Sequence, residues 1–429
     1  MRFLVETHSR QLNAMKFSEL FAFSMLSIFT VCAGISRQSA AQLTSEVEIE
    51  LHSAAWLRND NSRLNPENSI QDLDAGEAFI EAHLSVSDEF NDAQTMRWLL
   101  KTYGLYATLT DSSGNRKNVT RIDEAFIDWK GGDWFVNIGK RRVNWGHAMA
   151  FNPVNVIVPP RDPRNPEQTT EGQPVLWGSY GWNSGSLNLY YTRDFDQNWE
   201  SDLNRWGARL NIVEGEFDGS FYYFDGEPYR DGRDYERLFG VSFSANLLAG
   251  ATLYAEAAGT RHNYRNYYDA NGLAAQHDHV TVQAVIGSYI LIDPESVLSF
   301  WNGDANVIVE AYYNGSGYSE KERKQYFEAL ARAFQRGDST VLEDYELTGM
   351  NQFYALATYR NSFKERYAFE LTGLLAQDWS VSAQAQIEYA LSDYIKLTAI
   401  TRHNQGSDDS EFGNAPIANT IECQLEINF

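Results

Sequence analysis

The sequence predicts an all-β fold: a transmembrane, antiparallel, up-and-down β-barrel of about 18 strands, with 16 as the alternative count. Three observations predict it. Nearly every segment after residue 41 alternates apolar and polar residues with period two, the signature of a strand with one greasy and one wet face. The connections between these segments are alternately short and long for most of the chain, the rhythm of short periplasmic turns and long external loops. The 429 residues also combine 14% aromatic content with a mean hydropathy of −0.44. A barrel has that composition because half of each strand faces water while Tyr and Trp form girdles at the membrane interfaces. A soluble sandwich or propeller explains the alternation but not the rhythm, and no blade repeat of ~40–50 residues is present.

The front of the chain reads as an export signal. Met15-Lys16 opens a short basic region, residues 20–35 are apolar, and Ser39-Ala40-Ala41 supplies a small-residue cleavage pattern. Residues 1–41 are therefore expected to be a cleaved signal peptide, with Met15 a second candidate start. Phe29-Thr30-Val31 before Cys32 is a poor match to a lipidation signal. Cleavage takes away four basic and two acidic residues, so the net charge moves from −23 to −25. Such a balance argues against nucleic acid as a partner, because phosphate backbones reward basic surfaces. Cys423 alone remains, which excludes an internal disulfide and a cysteine metal cluster.

The strands follow in order. The first covers about 46–57, with Val47, Ile49 and Leu51 alternating with Glu46, Glu48 and Glu50. The second, about 77–87, sets Ile80, Ala82, Leu84 and Val86 against Phe79, Glu81, His83 and Ser85. The third, about 97–109, puts Tyr103, Leu105 and Ala107 on its apolar parity, the one expected to meet lipid. The fourth, about 120–130, turns at Gly131-Gly132-Asp133 into the fifth, about 134–146. A Pro-rich segment at 147–173 then forbids interior strand. Six more strands are expected at about 174–182, 186–193, 203–213, 216–225, 235–247 and 251–261. Two follow at about 279–291 and 305–314. Ser319 and Glu322 form a capping-box pattern, and Tyr326, Phe327, Leu330 and Phe334 recur at helical spacing, so one helix is predicted at 319–336 in an external loop. Five strands from about 350 close the chain, the last alternating strictly to Phe429. Both termini on the periplasmic side require an even count. Strand eighteen then pairs with strand one and removes both edges.

If the apolar parity meets lipid, the other parity lines the lumen. Glu46, Glu48, Glu50, Glu81, Glu422 and Glu426 then form an acidic sector across the seam, with Glu124, Asp128 and Glu388 also inside. Arg141, Arg205 and Arg209 share the inward parity elsewhere, and Lys396 and Arg402 interrupt the acidic side. Such a lining makes a transverse field that tunes passage. The alternative, a lumen plugged by ion pairs, stays open. The 147–173 loop is the candidate constriction, with Arg142 at its approach and Arg161 and Arg164 within it. An external cap that never enters is the other reading.

The stretch Gly139-Lys140-Arg141-Arg142-Val143-Asn144-Trp145-Gly146, followed by Phe151-Asn152-Pro153, resembles a G-[KR]-x-R-x-x-W-G…N-P pattern of proteobacterial porin-like barrels, the alginate-export-like and related outer-membrane families. Ser410-Glu411-Phe412-Gly413 before a final strand ending in Phe429 is similar to theirs. The resemblance implies a passive outer-membrane channel in a Gram-negative bacterium, and a Phe429 read by the barrel-assembly machinery. The partners expected of such a barrel are outer-membrane lipid and lipopolysaccharide, periplasmic chaperones and a small or oligomeric hydrophilic solute. A barrel hydrolase and a non-conducting adhesin or structural barrel are the alternatives. Gly315-Ser316-Gly317 lacks the strand-to-helix setting of a nucleophile elbow. His277-Asp278-His279 has no third metal ligand in view, and His147 with its neighbouring carboxylates is equally weak. Neither an enzyme nor a cofactor is expected.

Overall fold

A computed structural model describes residues 44–89, 95–107, 118–157, 161–165, 171–194, 203–226, 237–248, 250–261, 263–277, 280–296, 298–299 and 303–429. The signal-peptide expectation for 1–41 lies outside the described residues, as do Pro159 and Pro160.

Eighteen antiparallel strands form one closed sheet. The first eleven are β1 (Thr44–Arg58), β2 (Gly76–Glu89), β3 (Met96–Ala107), β4 (Asn118–Gly131), β5 (Trp134–Arg141), β6 (Gln173–Trp182), β7 (Gly185–Asp194), β8 (Leu203–Glu214), β9 (Phe217–Gly226), β10 (Arg237–Leu248) and β11 (Ala251–Thr260). A separate small hairpin, β12 (Asn263–Tyr268) and β13 (Ala274–His277), interrupts them. The wall resumes with β14 (Thr281–Ile292), β15 (Asp304–Asn314), β16 (Phe353–Phe363), β17 (Tyr367–Ala376), β18 (Val381–Ser392), β19 (Ile395–Gln405) and β20 (Ile417–Asn428). Each wall strand pairs with its neighbour in sequence, and β1 pairs with β20. The seam runs from Glu48 opposite Asn428 to Arg58 opposite Ile417, and Phe429 exchanges backbone hydrogen bonds with Val47. The eighteen-stranded wall is thereby closed, with no free edge of its own.

Register assigns the faces. Phe221, Phe239, Ile286, Ile387 and Ile421 stand exposed on the outer parity of their strands. Trp134, Tyr180 and Trp182 cluster at the short-turn end, where aromatic girdles belong. Two expectations are corrected. On β3 the odd parity faces inward, because Lys101 and Tyr103 pair in register with the inner residues Ser85 and His83. That parity also carries Arg97 and Lys101, whose charges forbid a lipid-facing position, and they outweigh the apolar look of residues 103–107. And β5 stops at Arg141 rather than 146: the chain leaves the wall there.

The long connections on one end build a compact cap. The helix α1 (Glu320–Gln335) starts at the predicted capping box, with Ser319 and Glu322 bonded reciprocally. Its Tyr326, Phe327 and Leu330 are fully buried against Leu64, Tyr267, Tyr268, Tyr318 and Met350, which come from three different loops. Arg63 joins a fourth, pairing with Asp409 at 2.5 Å. Beneath the helix, Arg323 donates to the Asn351 side chain (2.7 Å) and the Asp409 carbonyl (3.0 Å). Glu411, fully buried in the 406–416 loop, accepts from Asn351 and from the Tyr354 hydroxyl, both at 2.7 Å, and from the Thr348 amide.

Burial pushes the Glu411 carboxyl up from 4.5 to about 7, with the Asp378 charge adding to the rise against the hydrogen bonds it accepts. A raised carboxyl holds its proton more tightly folded than unfolded. Its stabilisation is therefore complete below about pH 4.5 and is lost as pH rises through about 7. The protection factors of the cap amides, corrected for the intrinsic exchange rate at each pH, are expected to be lower at pH 8 than at pH 5, and Glu411→Gln to remove most of that difference. Hydrogen exchange over 340–352 and 406–416 measures it.

Candidate functional site

The segment that leaves β5 runs inside the barrel. Its departure is set locally. A bulge in β4, between the Lys101–Glu124 and Thr102–Ile122 pairs, turns both Asp123 and Glu124 toward the interior. They grip Arg142: Asp123 pairs with its guanidinium, and Glu124 accepts its backbone N–H at 3.0 Å. Gly139 has φ of +134°, and a Cβ there would strike the β4 backbone.

Beyond Arg142 the chain is pinned to the opposite wall. Val143, Trp145 and Val154 sink into an apolar patch on the inner faces of β6 to β11, formed by Val175, Tyr190, Tyr222, Phe224 and Leu238. Trp145 is 2% exposed, its ring centroid 5.4 Å from Phe224 and 6.0 Å from Tyr190. Burying such a side chain stabilises by about 3 kcal/mol. Gly146, at φ of +106°, then turns the chain so that the next amides point at Glu256 of β11. Glu256 Oε1 accepts from the His147 and Ala148 N–H groups. Glu310 of β15, 1% exposed, accepts from Met149 (2.8 Å), Ala150 (3.0 Å), Phe151 (2.9 Å) and the Tyr254 hydroxyl (2.8 Å). Two wall carboxylates thus satisfy five consecutive backbone donors. The His147 ring lies between Ser242 (2.7 Å) and Asp218 (3.4 Å). Phe151 stacks on Tyr312 at 4.4 Å. Asn152 closes the turn, donating to the Trp145 carbonyl and accepting from the Asn155 N–H. Later, Arg164 donates to Ser382 of β18 at 3.0 Å and accepts at its carbonyl from Gln384. Burial opposes ionisation of Asp162, yet hydrogen bonds from Arg164 hold its carboxyl below the usual carboxylate range. Burial and the neighbouring Arg142 charge lower the Arg161 guanidinium.

The remaining candidate residues fall in two groups. Arg97 and Arg141 share Asp128, each at 2.7 Å, and Arg141 also lies over the Phe126 ring. Arg209 donates to Ser220 and lies over Tyr222; Arg205 reaches the Val156 carbonyl of the inserted segment. Around the seam, Glu50 stands in register between Glu81 and Glu426. Glu81 accepts from the Tyr103 hydroxyl (2.8 Å), Lys396 pairs with Glu426 (2.6 Å), Arg402 with Glu422 (2.6 Å) and Arg360 with Glu388 (3.1 Å). Glu46 and Glu48 continue the row on β1. The ring of Phe429 is exposed at the end of the seam. Asp278 and His279 lie outside the described residues.

The residues that hold the segment, Glu256 and Glu310, escaped the sequence reading. A signal was present: each is the sole charge in its strand interior, in Ala-Thr-Leu-Tyr-Ala-Glu-Ala-Ala-Gly-Thr and Asn-Val-Ile-Val-Glu-Ala-Tyr-Tyr-Asn. A lone carboxylate on an inner parity needs donors, and its neighbouring strand positions offer few: Gly287 and Leu356 flank Glu310, and Ser242 and Val285 flank Glu256.

A closed 18-strand wall with its long β5–β6 connection folded inside decides the class. The chain is a porin-like barrel. It superimposes on OccAB1 of Acinetobacter baumannii with a TM-score of 0.55 at 11% identity, covering 92% of this chain and 99% of that one. It superimposes on OccK8 (OprE) of Pseudomonas aeruginosa at 0.51 and 9% identity, covering 90% and 98%. At such identity these structures share the fold with it. No family model matches the sequence, and no curated protein matches it.

Glu310→Ala leaves three buried N–H groups without a partner and is expected to destabilise the inward position by about 3 kcal/mol or more. Amides 149–151 should then lose protection in hydrogen exchange while the strands keep theirs. Gly146→Ala is expected to cost about 2 kcal/mol, because its Cβ would sit 2.5 Å from Glu256 Oε1 on a left-handed backbone. The same exchange measurement over 145–151 checks it.

Proposed function

We propose that this protein is an outer-membrane channel through which small hydrophilic solutes pass passively, narrowed by the segment 142–165. The observation that carries the reading is the attachment of that segment to Glu256 and Glu310 inside the wall. A non-conducting structural barrel has no use for a backbone held across its lumen by two buried carboxylates. A channel does: a fixed segment sets the width and presents charge to whatever passes. Arg142, Arg161 and Arg164 ride on it, and Arg141, Arg205 and Arg209 on the neighbouring wall add positive groups. Glu124 and Asp128 secure part of that side, while Glu46, Glu48, Glu50, Glu81, Glu388, Glu422 and Glu426 with Lys396 line the other. The acidic row and the basic groups across from it bias which charges pass, to the extent that ion pairs leave them uncancelled. Export by the amino-terminal signal and recognition of Phe429 by the assembly machinery belong to the same reading, with lipid and lipopolysaccharide around the wall.

Planar-bilayer recording tests it. Purified protein is expected to give discrete ion currents, and Glu256→Ala with Glu310→Ala to raise the single-channel conductance roughly twofold as the segment loosens. Absence of current from correctly folded, heat-modifiable protein rejects the channel. Unchanged conductance in the double variant rejects the constriction.

A further inference from the structure

We infer that the carboxylates of β1 form a track for aliphatic diamines and longer oligoamines. The inference rests on the channel reading and gives it a substrate class.

Charge pairing inside the wall is lopsided. Arg97 and Arg141 share Asp128, Arg402 takes Glu422 and Lys396 takes Glu426. Among the described residues, the side chains of Glu46, Glu48 and Glu50 make no hydrogen bond or ion pair, although the Lys396 charge acts on Glu48 and His52 on Glu50 at longer range. The inner cation nearest Glu46 in register is Lys101, two strands away across Ser85, and it makes no ion pair with it. The unmatched charge therefore lies on β1, most of all at Glu48 and Glu50.

Geometry selects the shape of the cation. Successive inner residues of a strand stand about 6.7 Å apart along it. That spacing does not converge on a point, and among the described residues no three His, Cys, Asp or Glu side chains can hold a metal ion. It does match two ammonium groups separated by four methylenes. A head group at Glu50 meets three carboxylates, because Glu81 and Glu426 flank it in register. A second, independent feature marks the same place. His52 is the next inner residue, and its side chain is 8% exposed. Its Nδ1 has no hydrogen-bond partner, and its Nε2 is 3.6 Å from Glu422, beyond hydrogen-bond reach. In the tautomer whose Nε2–H faces Glu422, Nδ1 is an acceptor that a bound ammonium can satisfy. Anionic and zwitterionic solutes meet repulsion along the same row.

The test uses the purified full-length channel in planar bilayers, with 1,4-diaminobutane and butylamine as probes. Reversal potentials give each permeability relative to chloride. The diamine is expected to exceed the monoamine by about tenfold, since one further ion contact of about 1.4 kcal/mol has that effect. Glu48→Gln with Glu50→Gln should bring the two probes together. If that double variant fails to assemble, Glu50→Asp keeps the charge but shortens the reach. It should then lower the diamine preference while preserving cation over anion. A wild-type channel that conducts but treats both amines alike overturns the track and leaves the channel standing. A double variant that keeps the preference overturns it as well. No current at all removes the channel, and the track with it.

Discussion

The structure depends on the grip of two wall carboxylates on a piece of backbone. A segment lying inside a barrel leaves both neighbouring strands and must find partners for its polar groups elsewhere. Residues 147–151 find them at Glu256 and Glu310, which accept five consecutive N–H groups between them. Charged acceptors are the strong choice for this purpose, and the burial that makes the bonds strong makes either partner costly alone. The wall needs the segment as much as the segment needs the wall: without it, Glu256 and Glu310 would be buried carboxylates with no other charge in their strand interiors.

That mutual need explains how the two halves of the lumen differ. From β6 to β11 the inner faces offer Val175, Tyr190, Tyr222, Phe224 and Leu238, an apolar surface that suits neither lipid outside nor water inside. Trp145, Val154 and Ile157 cover it. The inner surface on β1 to β5 and β18 to β20 is polar and dense in ion pairs, while β14 to β17 add a second apolar patch at Val285, Tyr354, Leu356 and Leu374. The segment thus acts as an inner lining as well as an obstruction.

The wall was largely legible in the sequence, and the reason is physical. A strand between lipid and water has no choice but period two, so all eighteen strands and the closing partnership of β1 with β20 could be read from alternation and turn residues. The helix was legible because Ser319 and Glu322 carry their own start signal. Legibility failed where two requirements compete. On β3 residues 103–107 look lipid-facing, but Arg97 and Lys101 on the same parity decide the register. On β5 alternation continues through Val143 and Trp145, yet the bulge at Asp123 and the positive φ of Gly139 take the chain off the wall. Period two cannot tell a residue that faces a neighbouring strand from one that faces the inside of the opposite wall. The inward course of the 142–165 segment is of this kind. Proline excluded strand there, but only the distant Glu256 and Glu310 determine where it lies.

The charges of the lumen divide by the same logic. Asp123, Glu124 and Asp128 are occupied with Arg142, Arg97 and Arg141, so they hold the point where the segment departs. Such pairs return little field to the lumen, since each cation is cancelled within a few ångströms. A carboxylate without a partner acts over about a Debye length. Counting acidic and basic side chains on the inner parity therefore misjudges selectivity. The relevant quantity is the unmatched remainder, and on the described residues of β1 that remainder is Glu46, Glu48 and Glu50. The arginines that look most prominent in the sequence are largely committed to structure. The feature that looks plainest, a strand of alternating glutamates at the amino-terminal end of the wall, is the one whose described carboxylates make no ion pair.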